Sequence, residues 1–262
     1  MSDQAGAVAH PAATVVLLRD GNDGCEVLLV RRNAQLSFHG GAWVFPGGRL
    51  DADDYAGVAD ASDVMAAARN AAVREAMEEA GVTISRDGLI ALSRWVTPVG
   101  LPKRFDTWFF AARALDERVQ VDGGEIHEHR WMRPDAALAA QRGGEIELPP
   151  PTFVTLTGLI DHRRVRDALD AIAAQPFETF EPRLHSLPGG ACTLYAGDAG
   201  YENGDVECVG ARHRLWMLES GWRYERTDYD DAAVLKPPAT SAERTSTNAS
   251  TTGGGHVISR DR

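Results

Sequence analysis

The chain has 262 residues, 44% of them apolar, enough for one large domain, or a domain with an extension, around a real core. Its 38 acidic residues outnumber 27 basic ones, and a formal net charge of -11 argues against a nucleic-acid partner, which needs a basic surface. An anionic small molecule is not excluded, because a bound metal inverts the local charge.

Residues 13–20, ATVVLLRD, and 25–32, CEVLLVRR, are rich in strand-forming residues and flank the turn sequence GNDG, which predicts a β-hairpin. AWVFP (42–46) predicts a third strand stopped by Pro46. Residues 64–81, VMAAARNAAVREAMEEAG, have no glycine or proline before Gly81, which predicts a helix with Gly81 as its C-cap. LIALSRWVTP (89–98) and FDTWFFAARA (105–114) read as strands, HEHRWMRP (127–134) as a short strand, and DAALAAQR (135–142) as a short helix. A proline run in LPPPT (148–152) positions a helical pattern that continues to about Ala174. Residues 177–229 mix aromatic and strand-like pieces, and 237–262 are too poor in apolar residues to order themselves, so a disordered tail is expected there.

Strands, helix, strands and helices in that order predict an α+β fold, an α/β/α sandwich around a mixed sheet. The division is a flexible N-terminus (1–12), one domain (13–174), a helical or mixed C-terminal extension packed on it (175–236) and the tail (237–262). Cys25, Cys192 and Cys208 have no CxxC spacing and are odd in number, which fits a reducing compartment such as the cytoplasm. No stretch reaches 18 consecutive apolar residues and no signal peptide is evident, so no membrane span is expected.

Glu75, Glu78 and Glu79 stand at i, i+3 and i+4 and project from one helix face, where like charges cost a few tenths of a kcal/mol (about 0.2–0.5) per pair. A solvated acidic face would explain them; so would a hard divalent cation, which takes oxygen ligands and reverses the sign of that repulsion. Arg74 precedes the cluster and can orient a carboxylate. The side-chain-free Gly47-Gly48 pair lets a backbone approach a metal or phosphate closely, or simply makes a turn.

REAMEEAGV (74–82) resembles the second half of the Nudix box, G-x5-E-x7-R-E-U-x-E-E-x-G-U with U apolar, and FPGG (45–48) resembles its lead-in. The first half departs from the pattern. Counting from Gly48 puts Asp54 at the upstream acidic position, followed by an insertion; residues 51–62 are expected to be mostly loop outside the metal site, with Asp54 not a principal ligand. With FHGGAWVFPGGRLDADD (38–54) and TPVGLPKRFDTWFFAA (97–112), the insertion resembles a Nudix branch that includes peroxisomal coenzyme A diphosphatases.

The resemblance implies a Nudix-type sandwich and a metal-dependent hydrolase that cleaves a diphosphate linkage in a nucleoside-diphosphate-type substrate. Coenzyme A or acyl-coenzyme A comes first, ADP-ribose or NADH next. It implies Mg²⁺ or Mn²⁺ held by Glu75, Glu78, Glu79 and the Gly47 carbonyl, with Arg74 orienting a glutamate. The general base is Glu79 or a later glutamate, Glu125 or Glu128; Glu128 precedes Trp131-x-x-Pro134 and joins Glu78, Glu79 and Arg74 in the catalytic set. Arg104 and Gly48 are expected at the substrate, although Arg104 also suits a pair with Asp106. His127 and His129 are expected to face solvent, and Trp43, Trp108 and Phe110 to belong to the core. The partner is then a small-molecule diphosphate, with no nucleic acid and no membrane; a homodimer stays open. The competing reading is a Nudix-fold ligand-binding or regulatory module without catalysis, but such a module should have lost the helical carboxylates.

Overall fold

The computed structural model describes residues 7–35, 40–60, 62–115, 119–121 and 124–227. The tail expected at 237–262 lies outside them.

Strands β1 (His10–Gly21) and β2 (Gly24–Arg32) form the hairpin, in register through Gly21 opposite Gly24. β1 begins three residues earlier than the hydrophobic run suggests, because His10–Ala12 pair in parallel with Phe105–Thr107. Away from the turn the two strands part, and the next stretch of chain fills the gap. β3 (Trp43–Val44) pairs with β2, and β4 (Gly47–Arg49) pairs with β1 at Ala12–Thr14. The double glycine therefore lies in a strand and not in a turn. β5 (Ile90–Val96), β6 (Phe105–Arg113) and β7 (Ile126–Met132) complete the predicted set. With β8 (Glu178–Phe180) they make an eight-stranded mixed sheet, in which β6 runs parallel to β1 and β8 parallel to β5.

Period-two alternation gives this sheet two apolar faces. Ala13, Val15, Leu17, Leu28 and Val30 face helix α1 (Val64–Ala80). That helix buries Ala68, Ala71, Ala72, Ala76 and Ala80, small side chains that let it lie close to the strands. Gly81 ends it in the left-handed conformation, at φ 65°, as the composition predicts. Val16, Leu18, Val27 and Leu29 face the other layer, which holds α2 (Pro134–Arg142), α3 (Pro150–Leu159) and α4 (Val165–Ala174). The result is the expected sandwich, with Trp43 and Phe110 in the core and Trp108 packed against it.

Two features differ from expectation. The helical pattern from 149 to 174 is broken into α3 and α4, and the break is capped from a distance: the Asp20 carboxylate in the hairpin accepts the Val165 N–H at 2.8 Å. The described residues of the extension after α4 form strands. Beyond β8, β9 (Arg183–Leu187), β10 (Gly190–Leu194), β11 (His213–Leu218) and β12 (Gly221–Arg226) make a separate antiparallel sheet, ordered β12-β11-β10-β9. It is joined to the domain by Trp222 packed on Phe153 of α3 at 5.4 Å and by a bidentate pair between Arg226 and Glu178 of β8 at 2.7 and 3.0 Å.

Candidate active site

The last turns of α1 face β4 across a cavity of about 560 Å³. Glu75, Glu78, Glu79, Gly47, Gly48 and Arg74 all line it, so six of the expected site residues converge on one space. Close approach of the β1 backbone requires glycine at Gly47, and the bare Gly48 leaves room for a side chain of α1. A Cβ at Gly47 would run into the Ala13 carbonyl oxygen and the Thr14 side chain, and one at Gly48 into the Glu75 carboxylate.

Arg74 organises the acidic side. Its guanidinium has five N–H donors, and each has a protein acceptor. Nε and one Nη meet the two Asp54 oxygens at 3.2 and 2.9 Å, and that second nitrogen also reaches the Arg49 carbonyl at 3.0 Å. The other Nη donates to Glu75 and Glu78, both at 2.9 Å. These bonds, led by those to Asp54, raise the Arg74 pKa, so the cation is permanent. Glu79 is held separately, accepting the Gly47 N–H at 2.9 Å.

Burial sets the titration of the pair nearest the sheet. Glu79 is pushed up to about 8 by desolvation, opposed by the Gly47 N–H and reinforced by the Glu75 charge. Glu75 is also raised by burial, against the pull of Arg74.

Whether these groups suit a cation follows from their chemistry. As they stand, no three His, Cys, Asp or Glu side chains among the described residues are gathered around one point, because Arg74 and Gly47 hold the glutamates. The donor set nevertheless fits Mg²⁺ or Mn²⁺: three carboxylates beside a backbone carbonyl are all hard oxygen donors. Two of those carboxylates are buried at a cost that a second positive charge would offset.

Asp54 stands closer to this machinery than expected. It is buried, on a short 3-10 turn (Ala52–Tyr55), and its backbone carbonyl is gripped by the Asn70 side chain at 2.7 Å. The start of the insertion is therefore fastened to α1, and Asp54 reaches the glutamates through Arg74.

Two expected residues are not brought to the cavity. Glu128 is on the exposed side of β7, bonded to Arg130 at 2.8 and 3.1 Å and paired with Arg31 at 3.5 Å; Arg130 holds its pKa down. Glu125, the other later glutamate, is on the cavity wall. Arg104 donates to the backbone carbonyls of Thr97 (3.0 Å) and Ala7 (2.8 Å), while Asp106 pairs with Arg94 instead. The structure adds Arg32, Arg49, Phe105 and Thr107 to the lining, none of which the sequence pattern singles out.

Comparison with known proteins agrees with this architecture. A family model described as the NUDIX domain matches residues 8–150. "Putative nudix hydrolase 7" of Caenorhabditis elegans is 29% identical over 169 residues, 51% of this chain and 55% of that protein. "Peroxisomal coenzyme A diphosphatase ndx-8" of the same organism is 39% identical over 80 residues, 30% of each protein. The chain thus spans about half the length, or less, of these curated relatives. Among solved structures, a NUDIX hydrolase from Alicyclobacillus acidocaldarius superposes with a TM-score of 0.55 at 27% identity, over 64% of this chain and 99% of that one.

Proposed function

This chain belongs to the Nudix family, and from that premise we propose that it is a metal-dependent hydrolase cleaving the diphosphate linkage of a nucleoside-diphosphate-type small molecule, with coenzyme A or an acyl-coenzyme A as the first substrate. The observation that carries the reading is the convergence of Glu75, Glu78 and Glu79 with Gly47, Gly48 and Arg74 on one cavity. The choice of coenzyme A rests on the relative whose name states that activity and on the insertion after Gly48.

Glu75, Glu78, Glu79 and the Gly47 carbonyl would hold Mg²⁺ or Mn²⁺. Such an ion neutralises phosphate oxygens, acidifies a water and orients the leaving group. Arg74 keeps Glu75 and Glu78 aimed into the cavity, and the Gly47 N–H does the same for Glu79. The proton of the attacking water goes to a carboxylate on the wall, Glu79 or Glu125, and Glu128 drops out because it faces away. Three free cysteines, two of them buried, suit a reducing compartment such as the cytoplasm.

The test is a panel of diphosphate metabolites, including coenzyme A, acyl-coenzyme A, ADP-ribose and NADH, incubated with Mg²⁺ or Mn²⁺ and read by mass spectrometry. Metal-dependent release of two phosphorylated products from one of them is the expected result. Tight binding without any product would favour the non-catalytic module.

A further inference from the structure

The pairing of β2 with β7 ends at Arg32 and Ile126, just after its register shifts. One residue further on, Asn33 carries the contact past the end of the ladder. Its backbone N–H donates to the Glu125 carbonyl at 2.7 Å, and its side-chain Nδ2 donates to the Gly124 carbonyl at 3.1 Å. One residue thus holds two successive carbonyls of a distant segment. The side chain is itself fixed, because its Oδ1 accepts the Gln35 N–H at 3.0 Å, a local turn that asparagine favours. Both ends of the amide are used, which settles one orientation for the group.

This clasp holds the point where the chain leaves the cavity wall and enters β7. Glu125 lines the cavity and Asn33 does not. The Glu125 side chain is 63% exposed, so packing alone does not aim its carboxylate; the backbone beneath it must. Arg32 stands 3.9 Å from that carboxylate, beyond a hydrogen bond. Burial is the main cause that raises Glu75 and Glu79, but the Glu125 charge adds to both, which puts its carboxylate within electrostatic reach of the pair. Of the two candidate proton acceptors, Glu79 already accepts the Gly47 N–H and would also serve the cation. A carboxylate neutralised by a cation is a weakened base.

We propose that Asn33 is a positioning residue of the hydrolase: by clasping the Gly124 and Glu125 carbonyls it fixes the Glu125 carboxylate on the cavity wall, where that group takes the proton of the attacking water. The water oxygen bonds to phosphorus, the bond from phosphorus to the leaving phosphate breaks with its electron pair going to the leaving group, and the released proton ends on Glu125. The assignment deepens the hydrolase reading and rests on it. Asn33 touches neither substrate nor cation; it acts through Glu125 alone.

The test is steady-state turnover of the best diphosphate substrate at saturating Mg²⁺, on the full chain and on Asn33→Ala, Asn33→Ser, Glu125→Gln and the double variant Asn33→Ala with Glu125→Gln. Glu125→Gln should lower kcat about 10²- to 10⁴-fold, the range of a lost general base. Asn33→Ala should lower kcat about 10- to 100-fold by misplacing that base, with KM within about twofold. Mg²⁺ binding, read by calorimetry, should stay within about twofold in both. In the Glu125→Gln background, adding Asn33→Ala should cost less than about twofold more, because the group it positions is already disabled. A merely structural Asn33 would lower turnover to the same degree in both backgrounds. Parent-like kcat in folded Asn33→Ala, parent-like kcat in Glu125→Gln, or a full multiplicative loss in the double variant would each overturn the assignment. If Asn33→Ala does not fold, Asn33→Ser decides: it keeps an oxygen for the Gln35 N–H and loses the amide donor, and a kcat equal to the parent's overturns the clasp. A parent chain that hydrolyses no diphosphate would overturn the hydrolase reading and this assignment together, whereas the other outcomes overturn the assignment alone.

Discussion

Replacing Asp54 by asparagine is the sharpest test of how the acidic face is held. The change keeps the volume and removes the charge, and it turns one acceptor oxygen toward Arg74 into a donor group. Asp54 is 3% exposed and accepts from two Arg74 nitrogens as well as from the Asp51 N–H at 2.8 Å. A charge-assisted hydrogen bond contributes about 1.5–3 kcal/mol, and Arg74 keeps partial access to water, so the expected loss is about 1–3 kcal/mol. For a chain of this size that corresponds to a fall in Tm of roughly 2–10 °C. Turnover should fall by more than folding does. Arg74 would no longer be anchored from behind, Glu75 and Glu78 would lose their common guide, and partners of ligands at this remove typically matter about 10- to 100-fold. Differential scanning calorimetry and turnover at saturating Mg²⁺ measure the two effects on the same preparation. A variant with lowered Tm but turnover within about twofold of the parent would show that Asp54 supports the fold alone and that Arg74 needs no anchor.

Other perturbations follow from the same geometry. Glu79→Gln should cut turnover by orders of magnitude, about 10²–10³ or more. In chelator, the parent should lose stability as pH rises from about 4.5 toward 8, because the folded carboxyl keeps a proton that the unfolded one has released; Glu79→Gln should flatten that slope, and equal slopes would refute the burial argument. Gly48→Ala should leave Tm nearly unchanged while weakening Mg²⁺ binding about tenfold, since the new methyl displaces only the Glu75 carboxylate, whereas Gly47→Ala meets β1 backbone and should cost about 1–3 kcal/mol of stability; calorimetry with and without Mg²⁺ separates them. Arg226→Met removes the bidentate bond to Glu178 and should destabilise by about 2–4 kcal/mol, with turnover per folded molecule unchanged.

Local rules made much of this molecule readable. Alternation in β1 and β2, the alanine face of α1 and the terminal Gly81 each report on their own neighbourhood, and the elements appear where those patterns put them. What escaped depends on partners far along the chain. The start of α4 is held by Asp20, whose carboxylate arrives from 145 positions away. Asp54 looked like part of a polar loop because its partner, Arg74, lies on the far side of the insertion. The sequence favoured Glu128 over Glu125 because Trp131-x-x-Pro134 follows it, but strand pairing sets Glu128 beside Arg31 on the exposed side and leaves Glu125 on the cavity wall. Arg32 was legible in part, since period two from Leu28 and Val30 assigns it to the α1 face, but no motif sets it apart from its neighbour Arg31.

The three residues of β8 have a consequence for anyone who would trim the chain. They lie along the outer side of β5, from Ser93 to Trp95, and so cap the exposed hydrogen-bonding rim of the large sheet. A version cut after Ala174 would keep every cavity residue, yet it would bare that rim and one face of the Trp95 indole. Unpaired strand rims recruit strands from other molecules. Such a truncated chain should be catalytically complete in principle and self-associating in practice, with its losses appearing as concentration-dependent light scattering and not as altered chemistry.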